Sequence, residues 1–218
     1  MSRPLRLAAW LLAALLACGP LGVVAAELSR EQALKQLSHK DAASRLAALQ
    51  RLHEIGRFRD GDALAKLLFD EDGDNRQASE AALWAVWSRS GDAQIDALYK
   101  KGMAQMNASQ ADEAITTFSE IIRRKPDFAE GWNKRATVYF FTKRYTESLA
   151  DCAEVMKRNP NHFGALSGYG QIYAQLDDLD KALEYFEKAL AVNPNMQGVA
   201  LNILALRKLR AERARKAI

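Results

Sequence analysis

Three groups of residues in this sequence have the types and spacing to do chemistry. Asp70-Glu71-Asp72-Gly73-Asp74-Asn75 has the oxygen-rich composition of a calcium loop. Such a loop needs a glycine at its sixth position and a bidentate glutamate at its twelfth. Counted from Asp70, those positions hold Asn75 and Ala81. The two most demanding sites fail, so the run reads as an inter-helix turn in which Asp72 or Asp74 caps the helix that follows. Cys152 and His162 are a nucleophile and a base by type. His39, His53 and His162 are too scattered for a metal site. Glycine-rich phosphate loops and nucleophile elbows are missing from the sequence. These residues predict no enzyme, no cofactor and no metal centre. The third group is the tail Arg207 to Lys216, with six basic residues against Glu212. It reads either as a surface for anionic lipid or an acidic partner, or as the solvated face of a helix whose C-terminus favours cations.

The elements that carry these residues are predicted to be helical. The 218 residues are 49% hydrophobic and 27% charged, a balance that excludes a disordered chain and a polytopic membrane protein. Five prolines and twelve glycines are too few for a sandwich or barrel of many turns. The net charge of +4 gives no reason to expect nucleic acid, and the tail has no interleaved aromatic residues.

Residues 1–26 read as an address. Arg3 and Arg6 precede the apolar run Leu7 to Cys18, Gly19-Pro20 breaks it, and Val24-Ala25-Ala26 offers small residues for cleavage before Glu27. This is the layout of a secretory signal, and it predicts export to a bacterial periplasm with cleavage after Ala26. Two alternatives fit the same residues. Leu15-Leu16-Ala17-Cys18 resembles a lipoprotein box, which would tether the protein through Cys18, and Leu7 to Ala26 is long enough to remain as an anchor. Cleavage would leave Cys152 as the lone thiol, which predicts that it is buried.

From Ile95 onward the chain repeats with a period of 34. Pro126, Pro160 and Pro194 keep it, as do Gly102, Ala136 and Gly170, and Ala114, Ser148 and Ala182. Phe118, Cys152 and Phe186 form a fourth series, and Gln105, Tyr139 and Tyr173 a fifth. The small residues mark close helix crossings, the fourth series fills the space between hairpins, and the prolines end the second helices. Helices are predicted over 95–108, 111–124, 129–142, 145–158, 163–176 and 179–192, with turns short enough to force antiparallel neighbours.

The three units at 95–128, 129–162 and 163–196 resemble the tetratricopeptide repeat. Trp132, Ala136, Tyr139, Ser148 and Pro160 match the signature in the second unit, and Gly170, Tyr173, Ala182, Phe186, Ala189 and Pro194 in the third. Lys101 and Arg135 depart from the usual leucine, and Gln105 from the usual tyrosine. Residues 197–218 read as a capping helix and basic tail, with Val199, Ile203, Leu206 and Leu209 as its buried stripe and a polar back. Residues 27–94 carry a looser repeat: Arg59-Asp60-Gly61-Asp62-Ala63 returns as Arg89-Ser90-Gly91-Asp92-Ala93, and Arg45, Ala47 and Leu52 as Arg76, Ala78 and Leu83. This segment is similar to HEAT repeats. Its helix 75–88, apolar on every side, is expected to lie between it and the first 34-residue unit, giving one continuous stack. The fold class is therefore all-α: a right-handed α-solenoid of antiparallel hairpins, HEAT-like and then tetratricopeptide-like, with a C-terminal cap.

Stacked hairpins of this kind line a concave groove with their first helices. The resemblance places Tyr99, Met103, Met106 and Asn107 there from the first unit. It adds Glu130, Asn133, Thr137, Phe140 and Phe141 from the second, and Ser167, Gln171 and Gln175 from the third. Methionine adapts to varied ligands and amide side chains bind an extended backbone, so the implied ligand is a protein or peptide segment. One of Phe140 and Phe141 is expected to pack as core. Relatives that clamp a C-terminal carboxylate use cationic and amide residues where this chain has Tyr99, Met103, Gly164 and Gly168. That clamp is not implied.

Overall fold

The computed structural model describes residues 27–216, which form helices and short turns with no strand among the described residues. The readings made on residues 1–26 lie outside them. Helix α1 (Arg30–Gln36) starts in a capping box: Ser29 Oγ accepts the Gln32 N–H, and Gln32 Oε1 accepts the Ser29 N–H at 2.8 Å. Helix α2 (Ala42–Ile55) is capped by Asp41. The short α3 (Gly61–Ala65) sits between 3₁₀ turns, and α4 (Gly73–Trp87) begins where Asp72 accepts the Asn75 N–H at 3.0 Å. The acidic run is thus the expected turn with a capping aspartate. Asp70 receives both forks of Arg45 at 2.7 Å, while Arg76 donates to the carbonyls of Asp70 and Glu71. The arginines that recur at 45 and 76 close the same turn from two sides.

Three hairpins follow: α5 (Ala93–Asn107) with α6 (Ala111–Arg124), α7 (Ala129–Phe141) with α8 (Tyr145–Arg158), and α9 (Phe163–Gln175) with α10 (Leu179–Val192). Each second helix stops two residues before a proline of the 34-residue series. The small-residue register works by proximity. A β-carbon on Gly102 would lie 2.7 Å from the Phe118 ring, and one on Gly170 would lie 2.5 Å from Phe186. Ala136 and Cys152 share one buried cluster in the middle unit. Cys152 is buried, as its place in the register demands, and burial pushes its thiol up to about 12.

A further series at the same period has no glycine to mark it. Ser109, Lys143 and Asp177 all adopt left-handed backbone, with φ of 59°, 60° and 63°. The next N–H in each turn reaches back five residues, as Arg144 N–H does to the Tyr139 carbonyl at 2.8 Å. This closure satisfies the free carbonyls at the end of each first helix.

Helix α11 (Gln197–Lys216) packs on the third hairpin through Val199, Ile203 and the half-buried Leu206. The buried stripe is as expected at those three positions, but the back is not fully polar. Leu209 is largely exposed, and Leu201 and Leu204 lie open on the outer face. Leu204 stands in the register of Gly102, Ala136 and Gly170, where the other units bring in a second helix.

Helices α1–α4 do not continue the stack, which corrects the expected order. Helix α4 shares a core with α2 and with Phe163, and Trp84, Val192 and Met196 pack against that core. The module therefore lies on the turns that open and close the third hairpin, not on the first hairpin. Arg76 donates to Asn195 at 3.1 Å, and Asn195 donates to the Leu68 carbonyl at 2.8 Å. The departures in the first unit follow from this placement. Lys101 is exposed and Gln105 accepts the Thr117 hydroxyl at 2.7 Å, so the free face of α5 is polar. In the second unit Arg135 replaces leucine to hold Asp151 through both forks at 2.8 Å.

Lys143 is exposed and makes no side-chain hydrogen bond among the described residues, so its left-handed backbone is uncompensated. Lys143→Gly should stabilise the protein by about 1 kcal/mol. Urea unfolding checks this: the midpoint should rise with an unchanged slope.

Candidate functional site

The first helices α5, α7 and α9 carry the twelve expected groove residues, and several of them are buried. Tyr99 packs edge-on against Phe118 and Phe128 and is buried, as are Glu130, Asn133 and Ser167. Met103 is half-buried against the first hairpin core. The residues that stay open form a trough, with the buried Asn133 at its floor. Asn133, Thr137, Phe140, Phe141 and Gln171 line its middle, and Gln171, Gln175, Asn202, Ala205 and Leu206 continue it onto α11. Met106 and Asn107 meet Phe141 in an adjoining depression beside the α5–α6 turn. Phe140 is half-buried and packs with the middle core, whereas Phe141 is 74% exposed, so one phenylalanine is core and its neighbour is free. Apart from the buried Glu130, the expected groove residues carry no charge. Helix α11 contributes Asn202, Ala205 and Leu206, which the sequence had placed only in a cap.

The other end of the concave face is closed by the chain itself. Glu130 and Gly164 are the second residues of α7 and α9. A β-carbon on Gly164 would lie 2.5 Å from the tip of Trp84, so glycine makes the room that Trp84 occupies. Lys134 sits over the Trp84 ring at 5.4 Å. Trp87 stacks on His162 at 4.6 Å, and both indoles meet Phe163 at 5.1 Å.

Beneath the indoles lies a buried polar cluster. His162 Nδ1 accepts the Ala165 N–H at 3.0 Å and caps α9, so the ring proton is on Nε2, which donates to Glu130 at 2.6 Å. Asn133 donates to both Glu130 oxygens, the Tyr99 hydroxyl lies 3.4 Å away and Lys134 Nζ 3.5 Å away. Burial pushes the Glu130 carboxyl up, but the His162 hydrogen bond, the Lys134 charge and Asn133 outweigh it and hold the group at about 2. Every lone pair of this carboxylate is engaged by the protein, which marks it as structural.

Half of the basic tail is paired. Arg207, Arg210 and Arg213 reach Glu187, Asp180 and Asp177 at 2.8–2.9 Å across to α10 and the turn before it. They form one side of α11, while Lys208, Arg215 and Lys216 stay in solvent. Among the described residues, no group of three or more His, Cys, Asp or Glu side chains is placed to hold a metal, and no helix is long and apolar enough to cross a membrane.

Comparison with known proteins agrees with the repeat geometry. Tetratricopeptide repeat families match residues 96–127 and 127–195. A TPR repeat-containing protein of Rhizobium etli is 31% identical over 130 residues, 60% of this chain and 64% of that protein. The Hsp70-Hsp90 organizing protein of Triticum aestivum is 27% identical over 54% of this chain and 20% of its own length. The chain thus spans less than two thirds of either relative. Among solved structures, the first TPR of Spaghetti (RPAP3) bound to an HSP90 peptide superposes with TM-score 0.53 and 24% identity, covering 55% of this chain and 96% of that one. The Sgt2 TPR domain from Aspergillus fumigatus gives TM-score 0.55 at 19% identity, covering 58% and 85%. Residues 96–195 are tetratricopeptide repeats, carried in an all-helical solenoid.

Glu130→Ala should cost roughly 3 kcal/mol at pH 7, since it leaves buried partners unpaired. The carboxyl is held below its ordinary value of 4.5, so its contribution is full above that pH and is lost as pH falls toward about 2. Urea unfolding should therefore show a wide gap between wild type and variant at pH 7 that narrows at pH 3.

Proposed function

We propose that this protein is a non-enzymatic interaction scaffold that binds an uncharged segment of a partner protein in the open half of its concave trough. The observation that carries this reading is the exposed Phe141 beside half-buried Phe140, set among Met106, Asn107, Gln171 and Gln175. An exposed aromatic in a concave, amide-lined surface is the arrangement of a binding hot spot. Further support comes from the neighbours: the Spaghetti TPR carries an HSP90 peptide, and the TPR2B domain of yeast Sti1 is solved in complex with Hsp70. This chain differs from a carboxylate clamp, because Trp84 covers the Gly164 end where a terminal carboxylate would be held.

The layout of residues 1–26 supports export, with action in a bacterial envelope. The alternative is a membrane-tethered assembly factor for envelope complexes, held through Cys18 or an uncleaved N-terminus. Intact-mass measurement on protein from the native host separates them: a chain beginning at Glu27 is released, whereas a lipid adduct on Cys18 or an intact Met1 is tethered.

Crosslinking in that host, comparing wild type with Phe141→Asp, tests the trough. A charge on this apolar surface should reduce the captured partner roughly tenfold or more while thermal unfolding stays unchanged. Identical partners in identical yield would refute the trough as the binding surface.

A further inference from the structure

Where the module meets the repeats, a cleft of about 220 Å³ opens between Phe58, Arg59, Gly61 and Asp62 on one side and Arg158 to Asn161 on the other, with Trp87 also lining it. Its polar lining consists mainly of donors without partners. Trp87 is 4% exposed, and its indole N–H, a donor only, has no hydrogen-bond acceptor among the described residues. Asn159 is 7% exposed and its Nδ2 is likewise unpartnered. Arg59 makes no ion pair among the described residues, because the adjacent Asp60 is taken by Arg30. Arg158 commits Nε to the Pro126 carbonyl and Nη1 to Glu154, which leaves Nη2. Of these donors only Asn159 Nδ2 is buried without a partner; the Trp87 indole N–H and the exposed Arg59 face the cleft.

Two comparisons within the chain separate this cleft from ordinary turn geometry. Asn193, one repeat later, also leaves Nδ2 unpartnered, so the amide by itself belongs to the inter-hairpin turn. The addition at Asn159 is the pair of donors from the module, Arg59 and Trp87. Gly61 has φ −54° and ψ −44°, helical values open to any residue. A β-carbon there would sit in ordinary contact with Trp87 Nε1 at 3.4 Å, so its absence leaves that N–H uncovered. The residue that could wall off the indole N–H is the one without a side chain.

We propose that this junction cleft is an oxoanion site, accepting a carboxylate or phosphate group against Trp87 Nε1 and the Arg59 and Arg158 guanidiniums. Guanidinium and N–H donors match the lone pairs of such groups, and the charge-assisted bonds are the strong ones. The cleft is separate from the trough, so it does not depend on the trough reading. Asp62, exposed at the mouth, is the one acid in the lining and opposes the ligand. Its effect gives the proposal a sign that a merely structural cleft lacks.

The test is titration of the full chain with sodium phosphate, and separately with sodium acetate, at ionic strength held constant with chloride. The readout is the tryptophan indole N–H resonances, assigned with single Trp→Phe variants. The expected result is a saturable shift of the Trp87 signal while Trp84 and Trp132 stay in place. Arg59→Gln should weaken the midpoint roughly tenfold, and Asp62→Asn should tighten it roughly threefold. Both side chains are exposed, and an unchanged remainder of the spectrum confirms that the fold is intact. Saturation by phosphate alone, acetate alone or both supports the class and tells which headgroup it prefers. No saturable shift, a shift shared by all indoles, or a midpoint indifferent to Arg59→Gln overturns it.

Discussion

Trp87 lies nearly parallel to His162 with 4.6 Å between ring centres, and the placement of the N-terminal module depends on that contact. The imidazole can be buried there because Glu130 accepts its Nε2 proton and the Ala165 N–H supplies a donor to Nδ1. An unpaired polar ring at this depth would cost several kcal/mol. With its hydrogen bonds made in the plane, the ring is left with apolar faces, and an indole covers one of them. A buried carboxylate thus lets α4 dock on the repeats. Docking then does two things at once: it shuts one end of the concave face under Trp84, and it forms the walls of the cleft around Arg59 and Asn159.

Most of the fold can be read in the sequence because the repeat imposes strong local constraints. The helices at 111–124, 145–158 and 179–192 match their expected bounds, since a proline and a short turn bracket each one. The register of small residues opposite Phe118 and Phe186 was equally legible, because helices that cross this closely exclude a β-carbon. The left-handed turn residues were not. Ser109, Lys143 and Asp177 have nothing in common as side chains, and only their spacing of 34 betrays them. The closure of the turn holds the backbone there regardless of residue type.

The site was less legible than the fold, for a different reason. Residues were assigned to the groove by register, and register fixes direction but not exposure. Glu130 and Ser167 stand at groove positions by register and are buried. The clue to the module's position was available as two anomalies in the first unit. Lys101 and Gln105 replace residues that would pack against a preceding hairpin, and among the described residues no hairpin stacks on that face of α5. Helix α4, apolar from Ala81 to Trp87, then had to find cover elsewhere, and Gly164 marks where.

The two ends of the stack are therefore unequal. The free face of α5 is polar and needs no neighbour, whereas α11 exposes Leu204 on the side where a second helix lies in every other unit. Leu204 also fills the small-residue position, so a helix cannot approach α11 as closely as α6, α8 and α10 approach their partners. The ladder of Arg207, Arg210 and Arg213 onto α10 and its preceding turn complements the apolar packing. Exposed pairs of this kind are individually weak, so Val199 and Ile203, buried at the start of α11, hold the helix, and the pairs fix its direction. That direction shapes the trough, because α11 forms its last wall through Asn202, Ala205 and Leu206. The repeats supply the trough's floor, while the elements at either end of the chain set its limits.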